Sequence, residues 1–202
     1  EDALILGISG RYEFKNKGID VFIDAMGQLN RNNGLGKEVL AFILVPAGHA
    51  GANKELLHNL ELPYQAVTST DLYLTHYLND SANDPVMNRI RAQKLRNSEE
   101  DKVKIFFVPS YLNGDDGVLN MPYYDLLVGM DLTAFPSYYE PWGYTPLESL
   151  AFKVPTITTT LAGFGLWVKE HYNMNHPGIE VIHREDGDAS NVATAIAEWV
   201  KN

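Results

Sequence analysis

Apolar runs and helical patterns alternate along most of this chain. Leu4-Ile5-Leu6-Gly7-Ile8 is a continuous apolar run, as expected for a strand buried on both faces. After a loop over 10–18, Ile19, Phe22, Ile23, Met26 and Leu29 recur at helical spacing. A turn cluster over 30–36 leads to a second apolar run at 39–45, ended by Pro46. The alternation resumes with a strand over 103–108, a short helix over 123–129, a strand over 131–135 and a helix over 145–152. It closes with a strand over 154–158, a short helix over 166–171, a strand over 179–182 and a helix over 189–200. Strands alternating with helices predict an α/β fold with a Rossmann-like, doubly wound parallel sheet.

The stretch 48–102 breaks this rhythm. It is polar, and its pattern predicts a mainly helical insertion with segments near 51–60, 69–78 and 85–96, packed on the sheet. In open parallel sheets, ligands bind beyond the carboxyl ends of the strands. That rule selects four loops: 9–18, 109–123, 136–145 and 158–165.

Composition narrows the function classes. The 202 residues, 45% of them hydrophobic, suit one large domain or one domain with an insertion. A net charge of −10 with no basic run argues against nucleic acid and anionic membranes as partners. No apolar stretch approaches the roughly 18 residues a membrane helix needs. The absence of cysteine removes disulfides, thiolate metal sites and cysteine nucleophiles, and fits a cytoplasmic protein. The six histidines show no ligand spacing, so no metal site is expected, and no G-x-S-x-G elbow occurs. The chain opens at Glu1, without Met or a signal sequence, directly in strand character; it reads as a fragment of something longer.

Three features have chemistry. In the loop after the first strand, Arg11 and Lys17 stand six positions apart, with Gly10 permitting a tight turn. Arg11 offers a planar fork for phosphate, and Lys17 a point charge beside the positive end of the next helix. Its ordinary structural reading is a solvated loop with an Arg11–Glu13 surface pair. The second feature is Glu140-Pro141-Trp142-Gly143-Tyr144-Thr145-Pro146-Leu147-Glu148. Thr145, Pro146 and Glu148 match a capping-box helix start, which gives Glu148 a structural role. Glu140 precedes the helix and has no such role. The amides of Gly143, Tyr144 and Thr145 form an anion-binding helix terminus. The third is Tyr111 with Tyr123 and Tyr124, which can stack a base, although at least one is expected simply to pack.

These residues, taken together, resemble the eukaryotic-type glycogen synthases. The similarity lies in Ser9-Gly10-Arg11-Tyr12-Glu13-Phe14 with Asn16-Lys17-Gly18, and in Asn83-Asp84-Pro85-Val86-Met87-Asn88-Arg89-Ile90-Arg91. It is most specific in Phe135-Pro136-Ser137-Tyr138-Tyr139-Glu140-Pro141-Trp142-Gly143-Tyr144-Thr145-Pro146-Leu147-Glu148, and continues through Thr158-Thr159-Thr160-Leu161-Ala162-Gly163-Phe164-Gly165. The motifs span 7–184, whereas 48–80 and 185–202 match poorly.

The resemblance implies that 1–202 is the C-terminal, nucleotide-sugar-binding lobe of a two-lobed GT-B glycosyltransferase. The implied reaction moves glucose from UDP-glucose to the 4-hydroxyl of an α-1,4-glucan with retention and without a metal or other cofactor. Arg11 and Lys17 match the pair that holds the donor diphosphate. Glu140 matches the glutamate beside the donor glucose, and Glu148 the one that holds the ribose hydroxyls. Tyr123 matches the aromatic that stacks on uracil, with Tyr111 nearby, and the backbone of Gly143, Tyr144 and Thr145 faces the phosphates. Implied partners are UDP-glucose, the glucan acceptor and an N-terminal lobe absent from these residues, with room for homo-oligomers of the full-length protein. The isolated lobe is expected to be inactive. Two alternatives stay open on the residues: a GT-B transferase or epimerase with another donor, and a nucleotide-sugar-binding module without chemistry.

Overall fold

A computed structural model describes residues 3–32, 34–62, 73–172 and 177–201. Six strands form one fully parallel sheet: β1 (Leu4–Ser9), β2 (Val39–Leu44), β5 (Val103–Val108), β6 (Leu132–Ala134), β7 (Thr156–Thr159) and β8 (Ile179–Ile182). Their spatial order is β5-β2-β1-β6-β7-β8. The order reverses between β1 and β6, so a topological switch point lies there and the loops that follow these two strands flank it.

Both faces of the sheet are covered, which explains the unbroken apolar runs. Side chains alternate along each strand. Leu6, Ile8, Ala41, Ile43, Ile105 and Ile157 point into the larger core, against α1 (Ile19–Asn30), α3 (Pro85–Ala92) and α7 (Ala189–Lys201). Ile5, Phe42, Leu44 and Val108 point the other way, toward Leu127 of α4 (Tyr123–Leu127). On that same side α5 (Tyr144–Ala151) and α6 (Gly163–His171) pack over β7 and β8 around Leu150, Phe164 and Val168. The helical spacing of Ile19, Phe22, Ile23, Met26 and Leu29 gives α1 a stripe that is fully buried.

The stretch 48–102 departs from the sequence expectation. Its described residues are not mainly helical. Strand β3 (His49–Ala52) pairs antiparallel with β4 (His76–Leu78), and helices occupy only α2 (Lys54–Glu61) and α3. The helix expected near 51–60 starts later, where Asn53 caps it by accepting from Glu55 and Leu56 amides. Of the helix expected near 69–78, residues 69–72 lie outside the described residues and 76–78 is strand. Residues 73–75 run beside β5, where Phe107 N donates to Tyr73 O and Thr75 N to Phe107 O. Thr75, His76 and Tyr77 are β-branched or aromatic and pack on a pleated edge better than on a helix. The helix expected near 85–96 ends at Ala92. Val86, Met87 and Ile90 nevertheless sit in the main core, so this part packs on the sheet as expected.

Candidate functional site

The loop after β1 is anchored before any ligand arrives. Tyr12 and Phe14 pack against the main core, and the Tyr12 hydroxyl donates to Asp84. Asp84 in turn caps α3 by accepting from Met87 N at 3.0 Å. Burial and the Asp84 carboxylate hold the Tyr12 pKa well above its usual value, so Tyr12 stays a donor. The conspicuous Asn83-Asp84-Pro85 motif is therefore a strut for the loop.

Gly18 closes that loop with φ +69°, a left-handed conformation that favours glycine. A Cβ there would lie 2.0 Å from Pro136 O. The loops after β1 and β6 thus touch backbone to backbone at the switch point. Tyr138 N donates to Asn16 O at 2.8 Å and completes the seam.

Across this seam the Lys17 ammonium forms an ion pair with Glu140. Both side chains are mostly buried, at 16% and 20% exposure. Glu140 is held by its backbone, which donates to Leu161 O and accepts from Gly163 N. Arg11 is different: its guanidinium is 76% exposed and meets Glu13 at 2.9 Å. The surface pair expected of a plain loop is present, and it leaves Arg11 at the solvent edge of the site.

The start of α5 differs from the capping box read in the sequence. Gly143, with φ +96°, occupies the cap position, and the helix begins at Tyr144. Thr145 and Pro146 are then the second and third helical residues, where proline's missing N–H was an orphan anyway. No side chain caps this end. Glu148 is the fifth helical residue, two positions past the one from which a glutamate reaches back to the cap, and has no capping role. It instead accepts from the Tyr124 hydroxyl at 3.3 Å. Ser149, one residue on, seats the helix: it is fully buried, donates to Thr145 O and lies 2.9 Å from Thr133 Oγ1.

A cavity of about 340 Å³ opens beside this terminus. Ser9, Gly10, Ser110, Tyr111, Asn113, Tyr123 and Thr145 line it with Leu44, Pro46 and Leu112. The Lys17 stem runs past Gly10, 3.9 Å from where a Cβ would be. The Tyr123 hydroxyl is 2.7 Å from Ser9 Oγ, and burial pushes its pKa up. Tyr111 is 77% exposed at the rim and Tyr144 69% exposed at the helix start. Tyr111, Tyr123 and Thr145 thus share the cavity, while Lys17, Glu140 and Gly143 stand beside it. A larger cavity of about 530 Å³ lies at the opposite, amino end of β1 and β6, lined largely by Leu4, Leu6, Leu35, Leu132 and Trp199. None of the candidate residues reaches it.

One contributor escaped the sequence reading. Arg184 follows β8, a strand whose loop was not singled out. It is only 6% exposed, donates to Pro136 O and lies over the Tyr138 ring at 5.4 Å. Burial pushes its pKa down, and its Nε, like Asp20 Oδ1, has no direct partner. The available signal is weak: Arg184 is the single lysine or arginine between Lys169 and Lys201 and follows the last strand.

The family model described as glycogen synthase matches residues 1–70 and 65–202. The chain is 31% identical to glycogen [starch] synthase isoform 2 of Saccharomyces cerevisiae, over 100% of this chain and 38% of that protein. It is 30% identical to glycogen [starch] synthase of Neurospora crassa, over 99% and 36%. With the liver enzyme of Mus musculus the identity is 32%, over 85% and 31%. The chain therefore spans well under half the length of these relatives. Among solved structures it is similar to WaaG, a glycosyltransferase involved in lipopolysaccharide biosynthesis, with a TM-score of 0.50 at 17% identity. All of this chain superposes on 38% of that one, a likeness of fold.

Proposed function

The chain belongs to the glycogen synthase family, and from that premise we propose that it is the donor-binding lobe of a retaining glucosyltransferase. The whole protein would move glucose from UDP-glucose to the non-reducing 4-hydroxyl of an α-1,4-glucan. One observation weighs most for this reading: the Lys17–Glu140 pair lies across the switch point, beside an uncapped helix terminus and a tyrosine-lined cavity. The cavity suits a base stacked on Tyr123, and Glu148 suits the ribose. The diphosphate would lie along the α5 terminus, where free amides and the helix dipole favour negative charge.

In the transfer step the bond between the anomeric carbon and the UDP oxygen breaks. The acceptor O4 forms the new bond, and its proton passes to the departing phosphate on the same face. Charge grows on that phosphate as the bond breaks. Lys17, Arg11 and the α5 amides are the groups that would meet it, and one such donor is typically worth about 3–4 kcal/mol in the transition state. Glu140 orients the donor sugar and stabilises developing positive charge; it is not assigned a covalent role. No metal or further cofactor is required by this scheme. Among the described residues no helix is long and apolar enough to cross a membrane, and a cytoplasmic setting fits the substrates. The glucan acceptor and any subunit partners would meet the protein through its remaining length as well.

Titration calorimetry of UDP into the protein, repeated with Arg11→Ala, tests the reading. Binding in the micromolar to millimolar range is expected, weakened about 5- to 50-fold by the substitution. Arg11 is exposed, so the melting temperature should not move. Absence of UDP binding, or binding indifferent to Arg11, would refute the assignment.

A further inference from the structure

We propose that Tyr124 is a positioning residue for Glu148 and sets a preference for ribose over 2′-deoxyribose in the nucleoside diphosphate; the inference rests on the donor-lobe reading above. Tyr124 stands outside the cavity lining, where it cannot stack a base bound there. Its ring stacks on Phe152, with centroids 4.9 Å apart and planes 17° apart. A second ring, Tyr123, tilts against it at 5.3 Å. The phenol is thereby held between the base-side aromatic and the end of α5. Glu148 and Phe152 are four residues apart, one helical turn, so they share a face of that end. Tyr124 lies along this face, with its ring on one residue and its hydroxyl 3.3 Å from Oε1 of the other.

The consequence for recognition is geometric. A glutamate side chain is long and rotatable, and on a half-buried surface it samples several rotamers. Anchoring Oε1 leaves Oε2 as a directed acceptor for a sugar hydroxyl. A ligand that lacks the 2′-hydroxyl leaves such an acceptor unpaired, which is how a polar site rejects a deoxy analogue. The hydroxyl also keeps its proton: the Glu148 charge pushes the Tyr124 pKa up, so the phenol remains a donor throughout the neutral range.

A double-mutant cycle read with two ligands tests this. UDP and 2′-deoxy-UDP are titrated calorimetrically into the wild type, Tyr124→Phe, Glu148→Ala and the double variant. Phenylalanine keeps the ring stack and removes only the hydroxyl. The wild type should favour UDP. Tyr124→Phe should weaken UDP 3- to 10-fold and 2′-deoxy-UDP less than 2-fold, and should change neither in the Glu148→Ala background. Equal losses for both ligands, a loss that persists without Glu148, or unchanged UDP affinity would each overturn the inference while leaving the donor site standing. A wild type that binds both ligands equally would overturn it too. A wild type that binds no UDP would overturn the donor-lobe reading, and this inference with it.

Discussion

Replacing Gly18 with alanine should damage stability and ligand binding together. Gly18 has φ +69°, and an added Cβ would lie 2.0 Å from Pro136 O and 2.6 Å from its carbonyl carbon. The left-handed conformation alone costs about 1–2 kcal/mol for a residue with a Cβ. The contact adds more, because backbone must retreat by over an ångström, and overpacking of this kind costs about 1–3 kcal/mol. The sum is about 2–5 kcal/mol. For a domain of this size each kcal/mol shifts the melting temperature by about 2–4 °C, so a fall of about 4–20 °C is expected by circular dichroism. The displaced Pro136 leads directly to Glu140, so the Lys17–Glu140 pair should open and UDP affinity should drop as well. Gly36→Ala is the control: Gly36 has no left-handed φ and its Cβ would meet nothing within 4 Å. A Gly18→Ala protein melting within about 2 °C of the wild type would refute the backbone contact and the seam built on it.

Two further outcomes follow from the packing and the hydrogen bonds. Asp101 accepts from Asn30 Nδ2 and from the amides of Arg96 and Ser98; burial alone would raise its pKa, but these bonds hold it below the usual carboxylate value. A depressed native pKa means that its stabilisation is present above the unfolded value near 4 and is lost as pH falls through the native one. Asp101→Asn should therefore cost about 1–3 kcal/mol at pH 7 and progressively less below pH 4, read from urea unfolding at several pH values; a cost independent of pH would contradict it. Phe22 is fully buried under the sheet, so Phe22→Ala should cost about 3–5 kcal/mol in the same assay, and a cost under 1 kcal/mol would contradict the packing described.

Much of this architecture is legible in the sequence, and the exceptions have physical causes. The strands of the parallel sheet are evident because burial on both faces leaves continuous apolar runs, as in β1, β2 and β5. The cavity residues Tyr111 and Tyr123 follow from the strand-end rule. The start of α5 differs from its sequence pattern because Thr145-Pro146-Leu147-Glu148 imitates a capping box, whereas a left-handed Gly143 takes the cap with no side-chain bond at all. Propensity also failed over 48–102, where pairing between β3 and β4 and the edge of β5 overrides a weak helical pattern. Contacts across long stretches of sequence are invisible to any local pattern. Lys17 and Glu140 are 123 residues apart, and Arg184 and Pro136 are 48 apart.

The charge arrangement of the loop bears on how a protein of net charge −10 would take the anionic donor proposed for it. Distant charges are screened beyond about 8 Å at physiological salt, so the immediate partners decide. Each cation of the loop already holds a carboxylate: Arg11 with Glu13, Lys15 with Asp20, and Lys17 with Glu140. Locally the charges balance, and a diphosphate would have to enter by exchange. For Arg11 the exchange is inexpensive, since an exposed pair is worth about 0–1 kcal/mol and the guanidinium gains a bidentate partner. For Lys17 it is costlier, because Glu140 is mostly buried and would lose its only charge partner among those described. That cost falls if the donor brings hydroxyl groups to Glu140 as its phosphates draw Lys17 away. Free phosphate brings no sugar hydroxyls to Glu140, whereas a sugar nucleotide would. On the proposed reading the Lys17–Glu140 pair would therefore favour ligands that present an anion and a polyol together, the combination found in a nucleotide sugar.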